Sequence, residues 1–258
     1  MRGRFKTVII VQARMGSSRF PGKVLEDVAG RPMLVFQYER LSRSLEADLL
    51  VVATTTNPLD DKVESLCEQF SISCFRGSEQ DVLLRYRDAA EAFEADAIVR
   101  VNADCPLIDP VEVDRIIKIW HNEQPGLDYA SNILEETFPM GMHIEIFSRT
   151  ALNRAESNAL NLEEREHVTP YIRNSKSFSR SSLKCNENLS HERWTVDEPE
   201  DLIVVTNIFE HFSPNIFFDW RQVLELRKLH PFLFEENQKI VNNEGASMGQ
   251  GQKLYKRA

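Results

Sequence analysis

Apolar positions in the first half of the chain fall into two alternating rhythms. Short runs of β-branched residues read as strands, and between them apolar positions recur every three or four residues, as on one face of a helix. Thr7–Val11 is the first run. Pro32 then opens a helical segment with Leu34, Tyr38, Leu41 and Leu45 on one face. Leu49–Thr54 reads as a second strand, and Asn57-Pro58 caps a helix carrying Leu59, Val63, Leu66 and Phe70. Ile72–Phe75 is the third strand. Ser78 and Asp81, as N-cap and N3, start a helix that presents Val82, Tyr86, Ala89 and Phe93. Ala97–Val101 is the fourth strand, and Asp109-Pro110 with Glu112 starts a helix with the stripe Val113, Ile116, Ile117 and Trp120. Four strand–helix alternations predict βαβ units and a mostly parallel, three-layer α/β sheet.

The second half is less regular. Asp128–Ile133 and His143–Phe147 have strand character, with Pro139 and Gly141 between them. Ala151–Asn158 and Glu163–Ile172 read as helices, Arg193–Val196 as a short strand and Asp197–Phe212 as a long helix. After Trp220–His230 the composition shifts to Asn, Gly, Gln and Ser. One domain over residues 1–235 is expected, followed by a tail over 236–258 that is mobile from about Asn242.

Charge narrows the class of ligand. The 258 residues carry 31 Lys+Arg against 40 Asp+Glu, a formal charge of −9, and such a field repels nucleic-acid backbones. Residues 1–23 nevertheless hold Arg2, Arg4, Lys6, Arg14, Arg19 and Lys23 and no acid. A cationic patch on an acidic protein points to a small polyanion. No apolar run approaches the ~18 residues of a membrane span, and Val8–Val11 is too short for a signal-peptide core. Cys67, Cys74, Cys105 and Cys185 show neither CxxC nor metal-finger spacing, which fits reduced thiols in a cytoplasm.

In an open parallel sheet, ligands bind beyond the carboxyl ends of the strands. The segment after the first strand, Gln12 to Lys23, combines small residues with Arg14, Arg19 and Lys23 and reads as a triphosphate cradle, or else as a solvated basic loop. It matches neither GxGxxG nor GxxxxGK[ST]. After the fourth strand, Asp104 could hold Mg²⁺ against phosphates or serve as a turn residue ahead of Pro106. Asp197 ends another apolar run. With Glu200 it has the spacing of a capping box, and one carboxylate could serve both helix and metal. His167 could be a general base, a sugar contact or a helix cap. Cys105 reads as a small buried residue, and Trp120, Trp194 and Trp220 as core.

The segments VIIVQARMGSSRFPGKVL, RGSEQDVL, RVNADCPLIDP, EREHVTPYI and RWTVDEPEDL together resemble, in order, the SpsF-like branch of the cytidylyltransferase family. That family includes the spore-coat polysaccharide proteins and the enzymes making CMP-KDO and CMP-sialic acids. The resemblance implies a Rossmann-like, GT-A-like nucleotidyltransferase domain in which a small β arm, residues 129–148, caps a sugar site. It implies transfer of CMP from CTP to a small acidic sugar, with pyrophosphate released and Mg²⁺ as cofactor, and it leaves room for a homodimer. Carried over by position, Ala13, Arg14, Ser17, Arg19 and Lys23 belong to the phosphate loop. Arg76, Gly77 and Ser78 lie where relatives contact cytosine, and Asn102 and Asp104 also lie beside the nucleotide. Arg14, Lys23, Asp104 and Asp197 take the catalytic roles, with Asp104 and Asp197 on the metal. Gly141, Glu145, Glu166 and His167 fall to the sugar. Cys105 departs from the Glu of the KDO enzymes' G-D-E-P. The competing classes are a GT-A-type glycosyltransferase, disfavoured because Ala103-Asp104-Cys105 offers one Asp of a D-x-D, and a non-catalytic nucleotide-binding paralogue.

Overall fold

The first strand, β1 (Thr7–Gln12), reads Thr-Val-Ile-Ile-Val-Gln, and its first five residues are buried. Val8 and Ile10 face one apolar cluster while Ile9 and Val11 face the other, as expected for a strand covered on both sides. The computed structural model describes residues 5–240. After β1 the chain makes a small hairpin, β2 (Asp27–Val28) and β3 (Arg31–Pro32), then α1 (Met33–Leu41), β4 (Leu49–Thr55), α2 (Asp61–Gln69) and β5 (Cys74–Gly77). Next come α3 (Val82–Ala92), β6 (Ala97–Asn102) and α4 (Pro110–Asn122). The remainder holds β7 (Tyr129–Ser131), β8 (Glu145–Ser148), α5 (Arg149–Asn158), α6 (Leu162–His167), α7 (Pro170–Asn174), β9 (Arg180–Ser182), α8 (Pro199–Phe212) and α9 (Trp220–Leu229).

Seven strands form the main sheet in the order β5-β4-β1-β6-β8-β7-β9. All its pairings are parallel except those of β8, which runs antiparallel to β6 and β7. The expected α/β architecture is therefore present, with helices on both faces. One face packs against α3 and α5 through Leu83, Tyr86, Ala151 and Leu152. The other packs against α1, α4, α8 and α9, where Phe36 stacks on Phe209 at 4.6 Å between centroids. Trp120, Trp194 and Trp220 are core residues, as read.

Several boundaries differ from the periodicity, each for a local reason. Helix α1 stops at Leu41, leaving Leu45 exposed in a loop whose amide donates to the Asp114 carboxylate. Asn57 caps a single 3₁₀ turn over Pro58–Asp60, so Leu59 is exposed and the α-helix begins at Asp61. Asp81, rather than Ser78, is the N-cap of α3 and accepts from the Leu84 amide at 2.9 Å. The helix expected over 163–172 breaks in two at Val168, which has φ +71°. The strands expected in the 129–148 arm join the main sheet as β7 and β8, and only the loop between them reaches over the strand ends. Arg193–Val196 forms no strand beyond one bridge from Arg193 to Met140, whereas β9 had no sequence signal. The domain also continues past residue 235. Asn237 is buried and donates to the Arg193 carbonyl and to Asp201. Residues 241–258 of the expected tail lie outside the described residues.

Candidate active site

Parallel register places Gln12 of β1 beside both Ala53 of β4 and Asn102 of β6, so three carboxyl ends align along one edge. A cleft of about 560 Å³ opens there. Its lining includes Arg14, Ser17, Arg19, Lys23, Asn102 and Asp104 from the segments after β1 and β6. Gly141, Glu145, Glu166, His167 and Asp197 join them from the second half of the chain. Residues spread over 184 positions of sequence thus share one cavity, which no local pattern required.

Asp104 and Asp197 converge on the ammonium of Lys23. Lys23 Nζ donates to Asp104 Oδ2 at 2.9 Å, to Asp197 Oδ1 at 2.8 Å and to the Val196 carbonyl at 2.7 Å. Burial alone would lower the Lys23 pKa, but the two carboxylates outweigh it and hold it above the ordinary lysine value, so the ammonium stays charged. The second oxygen of Asp197 lies 3.2 Å from Arg19 and 3.8 Å from Arg193. Backbone contacts fix the pair: the Asp104 carbonyl accepts from the Val196 amide at 2.8 Å and from the Thr195 hydroxyl at 3.2 Å. Gly141 makes this approach possible. Its φ is +96°, and a Cβ there would meet the Thr195 nitrogen and Trp194 carbonyl carbon at 2.6 Å.

The helix cap at this point is not the one the spacing indicated. Glu198 is the N-cap of α8 and Asp201 its box partner, so the Asp197 carboxylate does not cap the helix and faces Lys23 and Arg19 instead. Asp197 and Glu200 form no capping box. Asp201 was missed altogether. It is fully buried and accepts from Arg193 Nε and Nη2, both at 2.7 Å, from the amides of Asp197 and Glu198 and from Asn237. Asp201 thereby holds the turn that aims Asp197.

The loop after β1 is held by a second residue the sequence did not disclose. Buried Asp60 accepts from the Met15 amide at 2.7 Å and from the Thr55 hydroxyl, tying the loop to the end of β4. Ser17 Oγ accepts from the Phe20 amide at 3.3 Å, and Gly22 turns the chain with φ +80°. Ala13 is buried, its amide donates to the Ala53 carbonyl, and it does not line the cleft.

Arg76, Gly77 and Ser78 do not line the cleft. Arg76 and Gly77 end β5, which lies at the sheet edge two places from β1, and Ser78 follows it. The Arg76 guanidinium donates to the Thr55 and Asn57 carbonyls and pairs with Asp61 at 2.7 Å and Glu64 at 2.6 Å. Ser78 accepts from the Asp81 amide through its hydroxyl and from Arg85 through its carbonyl. Arg76→Ala is therefore expected to leave the KM for nucleotide unchanged, at a stability cost of roughly 1 kcal/mol or less. A large rise in that KM would restore the nucleotide role.

The far end of the cleft is built on buried Glu145, which accepts from Arg100 at 2.5 Å and from the Tyr129 hydroxyl at 2.7 Å. Burial would raise its pKa, but the guanidiniums of Arg100 and Arg173 outweigh that and hold it below the usual carboxylate range. Glu166 lies 4.0 Å from Arg14. His167 ends α6 beside the cleft, and its carbonyl accepts from the Thr169 amide at 2.8 Å across Val168. That tight turn holds a β-branched residue at positive φ, at a cost of roughly 1–3 kcal/mol. Arg165 anchors it through bonds to Asp81 and Glu156 on neighbouring helices. Cys105 is buried in the cleft floor. Burial, joined by the Asp104 carboxylate, pushes its thiol well up, which disfavours a thiolate nucleophile.

Two carboxylates facing each other suit a hard divalent ion that draws its other ligands from phosphate and water. Among the described residues no group of three or more His, Cys, Asp or Glu side chains could form a closed protein cage. The buried oxygens Gln12 Oε1 and Asn102 Oδ1 have no hydrogen-bond partner in the protein, and both residues line the cleft. Such acceptors call for donors from a ligand or water. Among the described residues no helix is long and apolar enough to cross a membrane.

Known proteins share this architecture. SpsF of Bacillus subtilis, named for spore coat polysaccharide biosynthesis, is 32% identical over 79% of this chain and 86% of its own. The 3-deoxy-manno-octulosonate cytidylyltransferase of Chlamydia trachomatis is 33% identical over 52% of each chain. The solved cytidylyltransferase of Leptospira borgpetersenii superposes with a TM-score of 0.88 at 34% identity, covering 92% of this chain and all of its own. The cytidylyltransferase family model matches residues 8–240, which takes in β1, the cleft and the last buried contacts of Asn237. By that match, and by a phosphate-suited cleft at the strand ends, the chain belongs to the cytidylyltransferase family.

Proposed function

We propose that this nucleotidyltransferase joins CMP from CTP to a small acidic sugar and releases pyrophosphate, with Mg²⁺ held at Asp104 and Asp197. The observation that carries this reading is the meeting of Asp104, Asp197 and Lys23 within hydrogen-bonding distance, beside the Arg14–Arg19 loop. The sugar hydroxyl oxygen forms a bond to the α-phosphorus of CTP. The bond from that phosphorus to the bridging oxygen breaks, and the hydroxyl proton passes to solvent. When bound, Mg²⁺ supplies positive charge that lowers repulsion between the incoming oxygen and the phosphates. Lys23, Arg14 and Arg19 stabilise negative charge gathering on the leaving pyrophosphate. Asn102 and Gln12 accept hydrogen bonds from the nucleotide side.

Charge at the other end supports an acidic acceptor. Glu145 neutralises Arg100, whereas buried Arg173 Nε has no hydrogen-bond partner in the protein and Arg173 lines the cleft. That end is thus left with a net cation. The C. trachomatis relative acts on such a sugar acid, which agrees with this assignment.

Arg14 is half-exposed and holds Glu166 only loosely, so solvent screens it. Arg14→Ala is expected to lower kcat/KM by roughly tenfold to a hundredfold, about 1.4–2.8 kcal/mol, without unfolding the protein. The reading as a whole is tested by pyrophosphate release from each of four nucleoside triphosphates across a panel of sugar acids and neutral sugars. Release with CTP and an acid is expected. Equal release with UTP, or with neutral sugars alone, overturns the base or the acceptor assignment respectively.

A further inference from the structure

Lys23 has spent its hydrogen bonds on the protein. Its three ammonium protons go to Asp104 Oδ2, Asp197 Oδ1 and the Val196 carbonyl, at 2.7–2.9 Å, and its side chain is only 9% exposed. A residue so placed is not yet available to a phosphate. The same cation sits between the two carboxylates that a divalent ion would need. Asp197 has further positive neighbours in Arg19 and Arg193, so a divalent ion added to this arrangement would enter a cluster already neutralised by side chains. A nucleoside triphosphate changes that balance. It brings several negative charges and new acceptors for Lys23 and Arg19, and phosphate oxygens complete the coordination that two carboxylates cannot.

We propose that Lys23 is a stand-in cation that keeps the Asp104–Asp197 pair closed to metal until nucleotide phosphates draw its ammonium away. The inference rests on the metal and nucleotide reading of this cleft and adds an order to it: metal binds with the nucleotide or after it. In the free protein the paired carboxylates are held together and satisfied by Lys23. This gives the Asp104 carboxylate a cationic partner, adds the shortest ion pair to buried Asp197, and keeps stray divalent ions out. The lysine then serves twice, first as the internal counter-ion and afterwards as a phosphate ligand.

The test measures Mn²⁺ binding by the loss of free-ion electron paramagnetic resonance signal, with no nucleotide present. Lys23→Met is expected to bind Mn²⁺ at least about tenfold more tightly than wild type, and the added change Asp104→Asn should remove that gain. Wild-type protein binding Mn²⁺ as tightly as Lys23→Met overturns the proposal. If Lys23→Met is unfolded without metal, Mn²⁺ is expected to restore its circular dichroism spectrum, and failure to do so counts equally against it. In a second arm, wild type should form a ternary complex with Mn²⁺ and CTP, read by water-proton relaxation, after equilibrium dialysis has shown that CTP binds. Bound CTP without gain in Mn²⁺ affinity overturns the ordering. Absence of CTP binding in the dialysis strikes the nucleotide reading instead, so the two failures are distinguishable.

Discussion

Asp104→Asn and Asp197→Asn are each expected to reduce turnover by about 10³-fold or more, about 4 kcal/mol of transition-state stabilisation. Each change keeps an oxygen that can accept from Lys23 but removes the anionic character a hard cation requires. Their effects on folding should differ. Asp104 is a quarter exposed, and Lys23 would keep Asp197 and the Val196 carbonyl as partners, so its variant should melt close to wild type. Asp197 is buried among Lys23, Arg19 and Arg193, and neutralising it leaves an excess of positive charge there, costing roughly 1–3 kcal/mol. The decisive data are turnover against Mg²⁺ concentration beside thermal melts for both variants. Superimposable turnover curves for either variant and wild type would remove that residue from the metal site. Helix capping cannot account for a loss at Asp197, because Glu198 and Asp201 form the box.

The parts of this molecule legible in the sequence are those whose physics is local. β1, β4 and β6 are covered on both faces and therefore read as continuous β-branched runs, and Asp109 caps α4 just where Asp-Pro indicated. The loop from Gln12 to Lys23 was legible because the end of a central strand is where a parallel sheet binds ligands. The placing of Arg76 to Ser78 near the nucleotide came from the resemblance alone, and the position of β5 at the sheet edge, two places from β1, is not written in a local segment. Ser78 and Asp81, like Asp197 and Glu200, show that cap spacing tolerates a shift of one or more residues. The supports that hold the site were invisible for a different reason. Asp60 meets Met15 across 45 positions, Arg165 meets Asp81 across 84, and Glu145 meets Arg100 across 45. Asp60, Arg165 and Arg100 each read alone as one more charged residue in a chain that is 28% charged. Only the fold shows that these are buried and paired.

Asp201 is the support whose loss should matter most to folding. Its carboxylate is the common acceptor for Arg193, two backbone amides and Asn237, and it is completely buried. Asp201→Ala deprives all of these donors at once and leaves the Arg193 charge without its bidentate partner. The expected cost is about 3–5 kcal/mol, a fall of about 6–20 °C in Tm for a domain of this size. The loss should also depend on pH in a definite sense. Burial would raise the Asp201 pKa, but Arg193 and the donated hydrogen bonds outweigh it and hold the carboxyl below the usual range. The unfolded chain therefore binds the proton first as pH falls. Stability supplied by Asp201 is complete above the ordinary carboxylate value near 4 and drains away as pH drops through the lower folded value. The gap between wild type and Asp201→Ala should accordingly be widest near neutrality and narrow in acid. Urea unfolding at pH 7 and at about pH 3 measures it directly, and a gap of constant width would mean that the Asp201 charge contributes nothing beyond the packing of its atoms.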